Sequence, residues 1–457
     1  MTQSSASLAI VLAAGKGTRM KSALPKVLHK IAGAPMIAHV LSAAQAAGIG
    51  KTSLVVGPGM EDVAKAATAP KLQVFVQAEQ LGTADAVKAA RQAFEDFKGN
   101  VLILYGDTPL LRAETLDAVR DELDGGADLV VIGFEAENPI GYGRLLLDDR
   151  GRLAAIREEK DASDAERALT LCNSGIMGFR SGKTLLGLLG RIGKNNAKGE
   201  FYLTDAVALA AGDRLETRIV TSTGEEVLGV NSRGELAQAE SAMQRRLRAR
   251  AMADGATLIA PETVFLSHDT KIGKDVLIEP HVVIGERVAI ADGATIRAFS
   301  HLEGARIGDN ATVGPFARLR PGANLAKGAH IGNFVEIKQA EIAEGAKVNH
   351  LTYIGDASIG ARANIGAGTI TCNFDGFAKH RTEIGAGAFV GSNSSLVAPV
   401  KIGDGAYIGS GSVISKDVEA DALALSRAPQ EERQGWAARV RERRGRAKAK
   451  DGGNKGT

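Results

Sequence analysis

Across the first 230 residues, short apolar runs alternate with helical patterns. The runs are Leu8–Leu12, Thr52–Val56, Leu72–Val76, Val101–Tyr105 and Asp128–Ile132, and segments between them, such as Thr83–Phe97, carry Ala-rich helical spacing. Strands that are apolar throughout, joined by helices, predict a mostly parallel, Rossmann-like α/β sheet covered on both faces. Ligands of such sheets bind beyond the carboxyl ends of the strands. Residues 232–253 lack proline and are dominated by strong helix formers, which predicts one long connecting helix with a solvated Arg-rich face.

The period then changes. Aliphatic residues recur every sixth position from Ile272 through Ile278, Ile284, Ile290 and Ile296 to Leu302. After one-residue slips the frame resumes at Ile307 (to Ile337), at Ile342 (to Ile354) and at Ile359 and Ile365, and it returns from Ile384 to Ile414. A helix needs period 3.6 and a lone strand period 2. Period six fits a triangular parallel β-solenoid: six residues per face, one aliphatic side chain per face pointing to the axis, small residues at the corners. Coils of about 18 residues would stack at about 4.8 Å. Residues 366–383 break the frame and are expected to leave the prism as a loop, the kind of segment that carries function. The expected organisation is an α/β domain over 1–230, a linker helix over 231–254, the prism over 255–430, and a basic, disordered tail over 431–457.

Composition narrows the classes. Of 457 residues only 4% are aromatic, in keeping with a core built from a column of aliphatics. The net charge is +3; the tail carries nine Lys/Arg against four Asp/Glu, so the remainder sums to −2 and has no basic field for nucleic acid. Two cysteines, Cys172 and Cys372, exclude a disulfide scaffold and a Cys-based zinc site, and they fit a reducing cytoplasm. No apolar run approaches 18 residues, so no membrane insertion is expected, and Leu8–Ala14 reads as a buried first strand, not a leader.

Candidate chemistry follows the first strand. Leu12-Ala13-Ala14-Gly15-Lys-Gly17-Thr-Arg19, then Pro25-Lys26, matches neither a Walker loop nor a dinucleotide fingerprint. Two glycines would let backbone N–H groups approach a triphosphate, and Arg19 and Lys26 would add charge; a tight turn with solvated cations is the alternative. Asp107, in Tyr105-Gly106-Asp107, stands where a strand-end carboxylate could hold Mg²⁺ or could cap the next turn. Gln77 carries a donor and an acceptor for a pyrimidine edge, and Gly82, before Thr83, would admit a flat base. Among the eight histidines no two are five apart, which argues against a His-x4-His zinc triad. His350 lies shortly before the expected loop. An imidazole suits removal of a proton from an amine during acyl transfer, a role set against that of a plain surface histidine at a corner.

Residues 12–20 with Pro25-Lys26, Gln77–Thr83, Tyr105–Asp107, Gly141-Tyr-Gly143-Arg144, Glu158–Asp161, Asn173-Ser-Gly175 and Gly229-Val-Asn231 resemble the sugar-nucleotide pyrophosphorylases. With the six-residue repeats added, the chain is similar over about residues 6–436 to the bacterial bifunctional N-acetylglucosamine-1-phosphate uridyltransferase/glucosamine-1-phosphate N-acetyltransferase family. The resemblance implies a left-handed β-helix, a homotrimer, and Mg²⁺, UTP and acetyl-CoA as cofactor and co-substrates. It implies that Asp107 and Asn231 hold Mg²⁺, that Arg19 and Lys26 stabilise phosphate, and that Gln77, Gly82 and Thr83 read uracil. Gly143, Glu158 and Asn173 would grip sugar and ribose. In the prism it implies His350 as base, Arg320, Lys338, Tyr353 and Asn364 on the sugar phosphate, and Ala367, Asn373, Phe374, Ser392, Ser410 and Arg427 along acetyl-CoA. Many relatives have Tyr where this chain has Phe374, which implies altered affinity without loss of activity. The competing expectation is a prism that only regulates and oligomerises, as in proteins resembling ADP-glucose pyrophosphorylase; a purely structural scaffold would explain neither set of polar motifs.

Overall fold

The computed structural model describes residues 6–69 and 71–452, with side chains through Arg446. The chain divides into two compact units, Met1–Ala289 with His301–Glu303, and Ile290–Ser300 with Gly304–Thr457.

The first unit is built on a nine-stranded sheet. Its strands are β1 (Ser7–Leu12), β2 (Lys51–Val56), β3 (Leu72–Val76), β4 (Asn100–Tyr105), β5 (Leu129–Glu135), β6 (Arg144–Leu147), β7 (Leu153–Arg157), β8 (Leu171–Phe179) and β9 (Thr217–Ser222). The main order is β9-β5-β8-β4-β1-β2-β3, with the β6–β7 hairpin attached to β8. All five expected strands are present. Alternation explains the two covered faces: Ala9 and Val11 enter one core with Val40, Leu41 and Leu116, while Leu8 and Ile10 enter the other with Val87, Phe94 and Leu185. Two features qualify the mostly parallel, doubly covered sheet. Strand β8 runs antiparallel between β4 and β5. The edge strand β3 leaves Val74 and Val76 exposed.

Helices α1 (Met36–Ala46), α2 (Thr83–Ala89) and α3 (Ala113–Asp124) cover the sheet, and α4 (Arg233–Ala253) is the connecting helix. Ser232 caps α4 by accepting the Glu235 N–H. Gln244 pairs through its amide with both the N–H and the carbonyl of Leu266. The Arg-rich face is only partly solvated, because three of its arginines have fixed partners. Arg245 and Arg246 bond Glu225 and the Leu110 carbonyl, and Arg248 donates to the Val264 carbonyl. Beyond α4 the unit opens the solenoid, with Phe265 paired to Val283 and Val283 to His301, 18 positions apart.

The second unit is built of parallel ladders. Val313 pairs with Ile331 and Leu319 with Ile337, each 18 positions on. At the slips the coil shortens: Ile331 pairs with Val348 and Ile337 with Ile354, 17 on. The six-spaced aliphatics from Ile296 to Ile365 and from Ile384 to Ile414 are buried. The frame in fact continues one step past Ile365. Thr371 pairs with Leu396 and takes the column position. Its hydroxyl accepts the Gly355 N–H at 2.8 Å and donates to the Gly355 carbonyl at 3.2 Å. A β-branched threonine fills the space of a valine, which is why an aliphatic search misses it. The ejected loop is therefore shorter than residues 366–383. It is a small hairpin in which Phe374 pairs antiparallel with Lys379, after which Ile359 pairs with Ile384, 25 positions on.

The tail is a second correction. Residues expected to be disordered include helix α5, Trp436–Gly452, rich in the helix formers Ala, Arg, Glu and Lys. Residues 453–457 lie outside the described residues.

Candidate functional site

The first unit holds a cavity of about 520 Å³ at the carboxyl ends of β1, β3 and β4. Leu12, Ala13, Ala14, Gly15, Lys26, Gln77, Gly82, Thr83, Tyr105 and Asp107 line it, together with Lys16, Glu79, Gln80 and Glu200, which sequence reasoning missed. The two loop glycines differ. Gly15 is open, with nothing near a would-be Cβ, whereas Gly17 sits at φ +60 with its α-carbon against the Lys26 stem. Gly17 thus seats Lys26.

Lys26 is the electrostatic hub. Its ammonium bonds the Asp107 carboxylate and donates to Asn231 Oδ1 at 2.9 Å. The Asp107 carboxylate is thus engaged with Lys26. The Asp107 carbonyl accepts the Val230 N–H, which ties the Gly229–Asn231 loop to the end of β4. A carboxylate and an amide oxygen thus converge on one cationic point. Such hard oxygen donors fit Mg²⁺, which commonly takes one or two carboxylates and completes its shell with water and substrate phosphate. Arg19 is exposed and does not line the cavity. Gly106 packs tightly on Ile37 and Val27.

Two base-reading expectations change. Gln77 is 5% exposed, and its Nε2 donates to the Gly82 carbonyl at 3.0 Å and to Asp85 Oδ2 at 2.8 Å. Both amide protons are committed, so only Oε1 remains for a ligand. Gly82, at φ +124, lines the cavity, and a Cβ there would strike the Phe201 backbone at 2.5 Å, so packing within the protein already calls for glycine.

The expected sugar-side residues form a group around Tyr105. Burial pushes the Tyr105 hydroxyl well above its ordinary range, with Asp107 and Glu158 adding to the effect. Gly175 lays its backbone on the Tyr105 ring. The Asn173 N–H donates to the Gly143 carbonyl. Glu158 accepts from Thr204, and burial raises its carboxyl. Arg144 is fully buried and bonds the Tyr142 and Arg167 carbonyls, a structural tie.

In the second unit the polar groups stack. Asn333 and His350 are register partners. Val348 pairs with Ile365, Ile365 with Val390 and Val390 with Ile408, so two positions further along each coil Ala367, Ser392 and Ser410 continue the same corner. Main-chain bonds join its levels: Gly368 N–H to His350, Asn393 N–H to Ala367, Gly411 N–H to Ser392. Arg427 closes the column on the Ser410 carbonyl. The residue after each member is bulky and apolar above, at Phe334 and Leu351, and small or polar below, at Gly368, Asn393 and Gly411. The side chains that follow the column therefore become smaller below His350.

His350 is exposed, and its Nδ1 faces Asn333 Oδ1 at 2.6 Å. An amide oxygen accepts, so Nδ1 carries the proton and Nε2 keeps its lone pair. Tyr353 and Asn364 lie on the two ladders that meet at this corner. Arg320 pairs with Glu336 at 2.8 Å, and Lys338 faces Asp356 at 3.9 Å. The Lys379 amine bonded beside it holds Lys338 below its ordinary range, with burial helping. Asp356 also accepts from the Asn373 amide, which anchors the hairpin. Phe374 lies exposed on that hairpin. Sequence reasoning missed Asn333, Asp356 and Lys379. Asn333 was within reach, because it lies one 17-residue coil before His350.

Comparison with known proteins accords with this geometry. Residues 9–170 match the MobA-like NTP transferase domain, and residues 269–304 and 381–416 match the bacterial transferase hexapeptide repeats. The chain is 58% identical to the bifunctional protein GlmU of Azorhizobium caulinodans, covering 96% of this chain and 98% of that one. It is 56% identical to the GlmU proteins of a Bradyrhizobium species (95% and 97% covered) and of Agrobacterium fabrum (96% of each).

Proposed function

The chain belongs to the GlmU family of bifunctional enzymes, an N-acetylglucosamine-1-phosphate uridyltransferase and glucosamine-1-phosphate N-acetyltransferase in one polypeptide, and we propose that its two sites are those described above. The uridylyl site is assigned to residues 1–230 and the acetyl site to 255–430, with 231–254 as connector and 431–457 as tail.

In the uridylyl site a phosphate oxygen of the sugar 1-phosphate attacks the α-phosphorus of UTP, and pyrophosphate leaves. The attacking oxygen is already anionic, so positioning and charge neutralisation suffice and no covalent nucleophile is needed. Lys26 and Arg19 neutralise phosphate charge. Gly15 lets the loop backbone approach it. Gln77 and Thr83 meet the base, and Gly143, Glu158 and Asn173 meet sugar and ribose. Asp107 and Asn231 would hold Mg²⁺, which supplies charge neutralisation on the triphosphate when bound.

In the acetyl site the amine of glucosamine 1-phosphate attacks the thioester carbonyl of acetyl-CoA. His350 Nε2 takes the amine proton, and the CoA sulfur leaves. Asn333 holds the imidazole in the tautomer this requires. Arg320, Lys338 and Lys379 attract the phosphate. The column Ala367, Ser392 and Ser410 lines the pantetheine path down to Arg427. The observation that carries this assignment is the shared corner of His350 with that column.

The enzyme works as a homotrimer in this proposal. Support comes from Phe299, Phe316 and Phe334, whose rings stack 4.9 and 5.1 Å apart yet remain about half exposed. An exposed aromatic ridge of this kind favours burial against another chain. A reducing, cytoplasmic setting is proposed on the two unpaired cysteines.

The test supplies glucosamine 1-phosphate and acetyl-CoA and follows free thiol, then adds UTP and Mg²⁺ and follows pyrophosphate. Sequential release of both is expected. Thiol release by a monomer in sedimentation would overturn the trimer, and pyrophosphate without Mg²⁺ would overturn the metal assignment.

A further inference from the structure

We propose that Asp85 fixes the base preference of the uridylyl site, acting through Gln77 as a positioning residue. The inference rests on the assignment of that site to UTP. Asp85 does not line the cavity; Gln77 does. An amide side chain can ordinarily present either its oxygen or its nitrogen, because the two ends are nearly isosteric. At position 77 the choice is closed. One proton of Nε2 goes to the Gly82 carbonyl and the other to Asp85 Oδ2. A carbonyl and a carboxylate are acceptors only, so the reversed amide would set Oε1 against two oxygens. The Gln77 side chain is almost fully buried, where water cannot relieve that mismatch. Asp85 is itself held in place. It lies in the first turn of α2, where a carboxylate is favoured, and it accepts the Leu81 N–H at 3.2 Å.

The site therefore offers a ligand a lone acceptor at position 77. Uracil presents a ring N3–H, which donates to such an acceptor. Cytosine presents an N3 lone pair, which is repelled by it, and can use Oε1 only by sliding until its 4-amino group comes round. Selection for a pyrimidine with a ring N–H is thus built into the carboxylate behind the glutamine.

The experiment measures kcat/KM for UTP and for CTP, by pyrophosphate release with N-acetylglucosamine 1-phosphate, in the full-length enzyme and in Asp85→Ala, Asp85→Asn and Gln77→Met. The ratio of the two constants cancels any inactive fraction, and CoA release in the same samples reports an intact fold. Removing the one-way lock should lower the UTP-to-CTP ratio roughly tenfold in Asp85→Ala, with a loss in Gln77→Met at least as large. Asp85→Asn, whose amide can donate as well as accept, should also lower it. Parallel losses for both nucleotides, leaving the ratio within about twofold of the parent, overturn the proposal. If Asp85→Ala loses CoA release as well, Asp85→Asn and Gln77→Met decide. An unmodified enzyme that releases no pyrophosphate from UTP would refute the uridylyl assignment itself, a separate outcome.

Discussion

The nucleotide cleft and the prism corner place polar groups by opposite means. In the cleft, residues from separate segments (12–15, 26, 77, 82–83, 105–107 and 231) converge because several strands end together. Each key side chain is then clamped by another: Lys26 by Asp107 and Asn231, Gln77 by Asp85. At the corner, Asn333, His350, Ala367, Ser392 and Ser410 come from successive coils and are placed by main-chain bonds. A site of the first kind is tunable residue by residue. A site of the second kind is set by ladder register and tolerates small side chains along its length.

The sharpest way to break this comparison is to disable one site and watch the other. His350→Ala should lower CoA release by about 10²–10⁴-fold and leave pyrophosphate release intact. Asp107→Ala should do the reverse, to below detection. Loss of both activities in a folded variant would mean that the sites are not independent.

Register can be tested next. Thr371→Val keeps the column filled but orphans the buried Gly355 N–H. A loss of about 1–3 kcal/mol is expected, read as a lower denaturation midpoint for CoA release. An unchanged midpoint would mean that shape alone holds the column.

Asn333→Ala removes the partner of His350 Nδ1. CoA release should slow roughly tenfold, about one hydrogen bond's worth, with KM for acetyl-CoA little changed. A change confined to KM would recast Asn333 as a binding residue.

The smallest effect concerns the hairpin. Asp375 accepts the Ala378 N–H, bonds His380 and accepts the Phe377 N–H, which together hold its carboxyl well below the ordinary range. A lowered carboxyl stabilises the hairpin above the usual carboxylate range and loses that contribution as pH falls through the lowered value. Asp375→Ala should raise KM for acetyl-CoA about twofold to fivefold at neutral pH, an exposed pair's worth, and leave KM less sensitive to acid. Equal acid sensitivity in both proteins would assign it elsewhere.

How much of this was legible in the sequence follows from the same contrast. The solenoid announces itself, because one aliphatic every six residues has no other economical explanation, and the spacing alone placed the column. It failed at Thr371, where a hydroxyl is hidden in an aliphatic's place. In the α/β half, β1 to β5 were legible from apolar runs. Strand β8 was not, because Asn173, Ser174 and Gly175 interrupt its apolar pattern. Which residues face the cleft was readable from motifs, but their internal hydrogen bonds were not. Nothing local marks Asp85 as the partner of Gln77 or Phe201 as the neighbour of Gly82, since those pairings arise only when the loops meet.

The short hairpin carries one more implication. The ladder closes on both sides of it, Ile359 to Ile384 and Ile384 to Ile402, as though the added residues were absent. Chain length at that turn is uncoupled from the stacking beneath it. The hairpin could thus lengthen or shrink over generations while the rod it hangs from stayed the same.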